Sequence, residues 1–224
     1  MPKPPSLFRV SDLRFYWPLD GDATDRSGNG RNGTVDGAVV DAGKLTQSMR
    51  FDGADRIYFN QDISIFTFGF WFKMNAIPLL STQRLLSHET TDSNPNSFSI
   101  SVVQTGVNTG KIRAELVESN HTFAVETADD TVALNTWYYV SASFDNGVSG
   151  EMKLYVDGVS IGTGVADAAM DFSTTNTTLG RRSNNTDTFL DGWICEFKHY
   201  SVVLSLAEIK HLMSFGVSAA PIIT

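Results

Sequence analysis

The chain has 224 residues, 42% of them hydrophobic and 19% charged, a globular balance that excludes a disordered polymer. Its formal net charge of -8 argues against a nucleic-acid surface and against electrostatic docking on anionic lipid, since both need clustered Lys and Arg. A single cysteine, Cys195, excludes an intrachain disulfide and fits folding in a reducing compartment.

The opening "MPKPPSLFRVSDLRF" has no apolar run of signal-peptide length, and no stretch approaches a membrane span, so folding in a cytoplasm is expected. "LRFYWPL" reads as the first strand, with Pro18 near its end. "GRNGTVDGAVVDAG" reads as a short strand between glycine turns, followed by "SMRFDG" and "DRIYFN". "FTFGFWFKM" is the clearest strand. Its Phe66, Phe68, Phe70 and Phe72 fall on one face, and Thr67, Gly69, Trp71 and Lys73 on the other. Aromatic residues on both faces place it centrally. "QRLLSHET" and "SFSISVVQ" are strands joined by the polar loop "TDSNPN". "GKIRAELVE" and "HTFAVET" form a hairpin, "NTWYYVSASFD" is another strong strand, and "EMKLYVDGVSIGTGV" is a hairpin turning at Asp157-Gly158. "NTTLGRR" and "TFLDGWICEFKHYSVVL" supply the last strands. The helical pattern is "SLAEIKHLMSFG", with Ser205 as cap, Glu208 three residues on and Gly216 as stop. The four Trp residues read as core anchors. About a dozen short strands and one late helix predict an all-β sandwich.

The order "YWPLDGDATDRSGNGRNGTV", "MRFDGADRIYF", "FTFGFWFK", "LNTWYYVSASFD", "MKLYVDGVSIGT", "TTLGRR", "FLDGWICEFKHYSVVLSLAEI" resembles the laminin-G-like, concanavalin A-like domains, from about Leu13 to Leu212. The resemblance implies a two-sheet antiparallel jelly roll with one short C-terminal helix. The expected organisation is an extended arm at 1–12, the jelly roll at 13–215 and an extended tail at 216–224. Fold alone does not fix function, because the superfamily holds lectins, adhesion modules, glucanases, lyases and viral surface proteins.

"GNGRNG", Gly28 to Gly33, has the spacing of a dinucleotide loop, but the β-branched, glycine-broken segment after it cannot open the helix such a loop requires. The preceding "DGDATDRSGNG" gathers Asp20, Asp22, Asp25 and Asn29, hard oxygen donors suited to Ca²⁺. The other reading is turn capping by their side chains. Relatives with this motif often hold Ca²⁺ between the first and last strands, and where they carry Gly-x-Ile-Asp-Glu this chain has Cys195, a poor Ca²⁺ ligand, in place of the acid. No cofactor is required on this reading, and Ca²⁺ is the one cation to test.

No Glu-x-Asp-x-(x)-Glu run of the superfamily's glucanases is present. "RAELVE" resembles the Arg-x-Glu-Leu piece of alginate-lyase-type jelly rolls, without their Gln-x-His. Arg113, Glu115 and Lys153 therefore read as outward cross-strand charges, and no enzyme is expected. The polar loops "HETTDSNPNS" and "RRSNNTDT" offer Asn94, Asn96, Arg181, Arg182, Asn184 and Asn185 as contacts for a glycan or a neighbouring subunit. The expectation is a non-catalytic interaction module, a structural or surface protein of a bacteriophage particle, folded in the host cytoplasm and displayed on the virion. Its arms would contact other virion subunits or a second copy, and its surface would contact host glycans. The alternative is a free lectin-like protein, Ca²⁺-dependent or not, with a polysaccharide lyase or hydrolase third.

Overall fold

The computed structural model describes residues 10–60, 65–77, 82–89, 97–118, 121–146, 150–166, 170, 172, 176–182 and 189–214. A short 3-10 turn, Val10–Asp12, leads into β1 (Leu13–Trp17). There follow β2 (Thr34–Asp36), β3 (Val39–Ala42), β4 (Gln47–Asp52), β5 (Arg56–Asn60), β6 (Ile65–Met74), β7 (Thr82–Glu89) and β8 (Ser97–Gly106). The second half holds β9 (Thr109–Glu118), β10 (His121–Glu126), β11 (Val132–Ala133), β12 (Trp137–Asp145), β13 (Glu151–Val156), β14 (Val159–Val165), β15 (Asn176–Leu179) and β16 (Asp191–Tyr200). The helix α1 (Leu206–Ser214) comes last.

The strands form two eight-stranded sheets. The first runs β14-β13-β12-β6-β16-β4-β3, with β1 paired to β16. The second runs β10-β9-β8-β7-β15-β5-β2, with β11 paired to β9. Every pairing is antiparallel among the described residues. The expected jelly-roll sandwich with one late helix is therefore the fold.

Strand β6 is central, paired on one side with β12 and on the other with β16. Its four Phe rings have no exposure and pack across the sandwich, with Phe66 4.8 Å from Phe98 of the second sheet. At the other end of the core, Trp17 meets Phe59 edge-on at 4.9 Å. Such aromatic pairs add about 0.5–1.5 kcal/mol beyond their buried area.

Local signals set several boundaries as expected. Ser205 and Glu208 form a reciprocal capping box: the Ser205 amide donates to Glu208 Oε2 at 2.8 Å and the Glu208 amide to Ser205 Oγ at 3.3 Å. Asp157 and Gly158 have φ of 48° and 71°, as a type I′ turn needs. Gly216 and the tail at 216–224 lie outside the described residues, as does the arm up to residue 9.

Two expectations fail. "TVDGAVVDA" is not one strand but two, β2 and β3, in opposite sheets. The chain changes sheet at Gly37, where φ is 91° and a Cβ would lie 2.0 Å from Asp55 Oδ1. The loop from β1 to β2, which holds "GNGRNG", crosses between the sheets as well. Of the four Trp, only Trp17 is in the core. Trp71, Trp137 and Trp193 stand half-buried on the outer face of the first sheet. Part of that face is covered by α1, whose Ile209 and Leu212 pack with Leu13, Tyr16, Tyr139, Tyr155, Tyr200 and Leu204.

Candidate functional site

Strand alternation sends Ile57, Phe98, Ile100, Ile112, Ala114 and Leu116 of the second sheet inward, and the intervening residues outward. The outward residues form two cross-strand rows. One runs Tyr58, Thr178, Ser87, Ser99, Glu115, Ala124. The other runs Arg84, Ser101, Arg113, Glu126. Side chains directly opposite in such rows are close enough to bond.

The two rows share a floor of small hydroxyls. Thr178, Ser87, Ser99 and Ser101 are all almost fully buried although they point away from the core. Larger polar groups fold over them. Arg84 Nη1 donates to Ser99 Oγ at 2.6 Å, and Ser87 Oγ donates to the Arg181 carbonyl at 3.0 Å. Charged side chains continue the cover. Arg84 lies 3.7 Å and Arg113 3.6 Å from Glu115, Arg113 Nε donates to Glu126, and Lys111 Nζ sits 2.7 Å from Glu126. Burial pushes the Glu126 carboxyl up, but hydrogen bonds from Lys111 and Arg113 outweigh it and hold the group below its usual range. At the far end Arg56 stacks on Tyr58, 4.6 Å from the ring centroid, and donates to Asp36 at 2.9 Å.

Buried polar atoms on this face without a hydrogen-bond partner include Ser101 Oγ, between Arg84 and Arg113, and Arg181 Nε. Burial, and then the charge of Arg56, lower the Arg181 pKa against an opposing pull from Asp36. The face thus combines planar guanidinium donors, carboxylate acceptors and hydroxyls that do both. That mixture matches a polyhydroxylated ligand.

Of the residues singled out by sequence, Arg113 and Glu115 pair on this face, Arg181 reaches it through the bond its carbonyl accepts from Ser87, and Arg182 is half-buried beside Arg181. Lys153 is on the first sheet, against Glu151. Asn94, Asn96, Asn184 and Asn185 lie outside the described residues, in segments that follow β7 and β15 of the second sheet. Arg84, Ser99, Ser101 and Glu126 are members that sequence reasoning missed.

The acidic loop after β1 has its own geometry. Asp25 Oδ1 accepts from the amides of Tyr16 and Ser27, both at 2.9 Å. Its Oδ2 accepts from Ser27 Oγ and the Arg31 amide, both at 2.9 Å. Asp22 caps a tight turn by accepting from the Thr24 amide at 2.7 Å, which lowers its pKa. The Asn29 side-chain amide donates to the Leu13 carbonyl at 2.8 Å and the Arg14 carbonyl at 3.2 Å. Asp20 is half-buried. A Ca²⁺ site takes six to eight oxygens turned toward the ion. Here the central carboxylate is saturated by the protein's own donors, so the donors present do not fit that cage. Among the described residues, no three His, Cys, Asp or Glu side chains stand together as a metal site. "GNGRNG" belongs to the same structure: the Gly33 amide donates to the Ala23 carbonyl at 2.8 Å, closing the loop.

The family model Laminin_G_3, described as concanavalin A-like lectin/glucanases superfamily, matches residues 51–210. No curated protein matches the sequence significantly. Among solved structures, the chain resembles domain 4 of AbnA, a GH43 extracellular arabinanase from Geobacillus stearothermophilus, in complex with arabinotriose. The identity is 20% and the TM-score 0.67, over 90% of this chain and 98% of that one. It also resembles the binding domain of Paraclostridial Mosquitocidal Protein 1, at 17% identity and TM-score 0.68, over 91% of this chain and 52% of that one. A third is the binding domain of botulinum neurotoxin DC in complex with rat synaptotagmin II, at 16% identity and TM-score 0.68, over 91% and 51%. The chain thus spans about half the length of these toxin binding domains, and at such identities the likeness concerns the fold alone. With the matched model covering most of its length, the chain belongs to the concanavalin A-like lectin/glucanases superfamily.

Proposed function

We propose that the protein is a non-catalytic carbohydrate-binding module, and that the outer face of the second sheet holds the saccharide. The observation that carries this reading is the row Arg84, Ser101, Arg113, Glu126 beside the hydroxyl floor. Fixed donors and acceptors alternate there across four strands, with Ser101 Oγ and Arg181 Nε lacking protein partners. The arabinotriose held by the similar arabinanase domain supports it by analogy of fold. A glycan array of neutral saccharides probed with the whole chain and with Arg113→Ala tests it. Binding by the parent and its loss in the variant are expected; equal binding by both, or no saccharide bound at all, sinks the reading.

For its setting we propose the surface of a bacteriophage particle, in contact with host glycans. The observation in favour is that the sandwich closes without a disulfide. Its one cysteine is buried in β16, its thiol pushed up to about 12 mainly by that burial, so it is inert and suited to folding in a reducing cytoplasm. Co-sedimentation with purified phage particles is the expected result; exclusion from particles rules the setting out.

A further inference from the structure

The outer face of the first sheet carries a second, independent polar arrangement. Registered pairing sets Trp137 of β12, Lys73 of β6, Trp193 of β16 and Arg50 of β4 side by side in one row. Lys73 Nζ lies 3.8 Å from the Trp193 ring centroid and 5.2 Å from that of Trp137, so one ammonium is held between two indoles. The Arg50 guanidinium lies 4.6 Å from the Trp193 centroid. Arg50 is also tied to Asp191 and to the Gly192 carbonyl. Lys73, by contrast, has no carboxylate within ion-pair distance among the described residues. Acceptors border the row: Asp41 takes the Trp193 indole N–H at 2.8 Å, and Asp191 also accepts from Asn75 at 3.1 Å.

The simplest use of such a row is structural, each exposed cation–π contact giving about 0.5–1 kcal/mol. That use leaves the composition unexplained. One pre-positioned ammonium, apolar indole edges beside it and carboxylate acceptors around it form a set of three different contacts. A carboxylate fits the first, sugar C–H groups the second and sugar hydroxyls the third. We infer that this face binds a uronic-acid-containing saccharide, with its carboxylate on Lys73. A highly sulfated chain, with several charges per sugar, fits less well than a polyuronate with one, because Asp41 and Asp191 repel added negative charge, and an acidic peptide lacks the hydroxyls those carboxylates accept from. Spacing agrees. Lys73 and Arg50 are two strands apart, about 9.6 Å, comparable to the length of a linear disaccharide, whereas same-face residues of an extended peptide recur every ~6.8 Å.

The site is on the opposite face of the sandwich from the one proposed above, and the two are tested apart. Tri-galacturonate and a neutral galactose trisaccharide are titrated into the whole chain while the indole N–H signals are followed by NMR. The signals of Trp137 and Trp193 are expected to move with tri-galacturonate. That of Trp17, a core ring whose Nε1 is held by the Arg31 carbonyl, is expected to stay. Lys73→Met is expected to weaken tri-galacturonate at least tenfold, and Arg113→Ala to leave it unchanged. The inference is overturned if the neutral trisaccharide moves the same signals equally, if Lys73→Met binds like the parent, or if poly-glutamate displaces the saccharide as well as its own kind does. It is overturned too if Arg113→Ala abolishes the uronate binding; in that case the reading of the second sheet stands and this one alone falls. A Lys73→Arg variant that keeps binding guards against a folding artefact.

Discussion

The outer faces of the two sheets treat charge in opposite ways. On the first, Lys198 and Glu196 form a 2.8 Å ion pair whose side chains are only 8% and 4% exposed. Tyr16 donates to the same Glu196 oxygen at 2.9 Å, and the Lys198 ammonium sits 4.5 Å from the Tyr16 ring centroid. The pair lies where β16 is bulged and Glu196 takes φ of 60°. On the second sheet the charges of Arg84, Arg113, Glu115 and Glu126 form an open net, with side chains up to 30% exposed. A sealed pair beside the tyrosines packed with α1 is a fixture of the fold; an open net with partnerless atoms is a surface that can exchange protein contacts for ligand contacts. The same residue types serve both because burial decides the cost of separating them.

Breaking each arrangement should therefore produce unequal damage. Lys198→Met leaves the Glu196 carboxylate buried without its cation, which costs about 3–5 kcal/mol. For a domain of this size that is a fall in Tm of roughly 6–20 °C. Thermal denaturation followed by circular dichroism checks it, and a fall of under about 3 °C would show that the pair is solvated after all.

The core between the two faces gives the next largest effect. His88 comes from the second sheet and His199 from the first, and both are buried. His88 Nδ1 shares a 2.7 Å hydrogen bond with Thr177 Oγ1. His199 stacks on Phe68 at 4.7 Å and lies 5.0 Å from Phe15, with neither ring nitrogen bonded. Burial lowers both pKa values, that of His88 to about 3 and that of His199 well below its usual value. The native state thus keeps the rings neutral while the unfolded chain protonates them near pH 6.5. Stability is intact above about pH 6.5. It falls by about 1.4 kcal/mol per pH unit for each ring as the pH drops toward the folded pKa. His199→Phe is expected to remove one ring's share, so the substitution is more favourable to stability at ~pH 4.5 than at neutral pH. Urea denaturation of parent and variant at both pH values measures the difference; parallel losses in the two proteins would refute it.

On the open net, Arg113→Ala should cost little stability, about 0.2–1 kcal/mol, because exposed pairs contribute little. Its effect should appear in saccharide binding instead. A Tm change larger than that of Lys198→Met would reverse the comparison between the faces.

Much of the sandwich is legible in short range. The alternating Phe residues of β6, the Ser205–Glu208 box and the Asp157-Gly158 turn each depend on residues within one element. The sheet switch at Gly37 is not legible, because β2 and β3 have the same β-branched character and only the partner strands differ. Nor is the placing of the tryptophans. Alternation puts Trp71 opposite the Phe face, but hydrophobicity alone assigns Trp137 and Trp193 to the core. The candidate site is legible only at "RAELVE" as outward charge. The row from Arg84 to Glu126 depends on strand register across four strands, and no local pattern sets that register.

The smallest expected effect is at the acidic loop after β1, a third polar arrangement that belongs with the sealed pair rather than the open net. Asp25 is 9% exposed, and its two oxygens tie together Tyr16, Ser27 and Arg31. For Ca²⁺ to bind there, four hydrogen bonds must open, three of them from backbone amides. A ligand present at 100 times its dissociation constant would stabilise the fold by about 2.7 kcal/mol. That would raise Tm by roughly 5–11 °C in a domain of this size. Millimolar Ca²⁺, added after exhaustive chelation, is expected to leave Tm unchanged. A rise of that size would mean that Asp25 exchanges its amide partners for the ion. The loop would then move from the fixtures of the fold to its binding surfaces, as the open net of the second sheet is proposed to be.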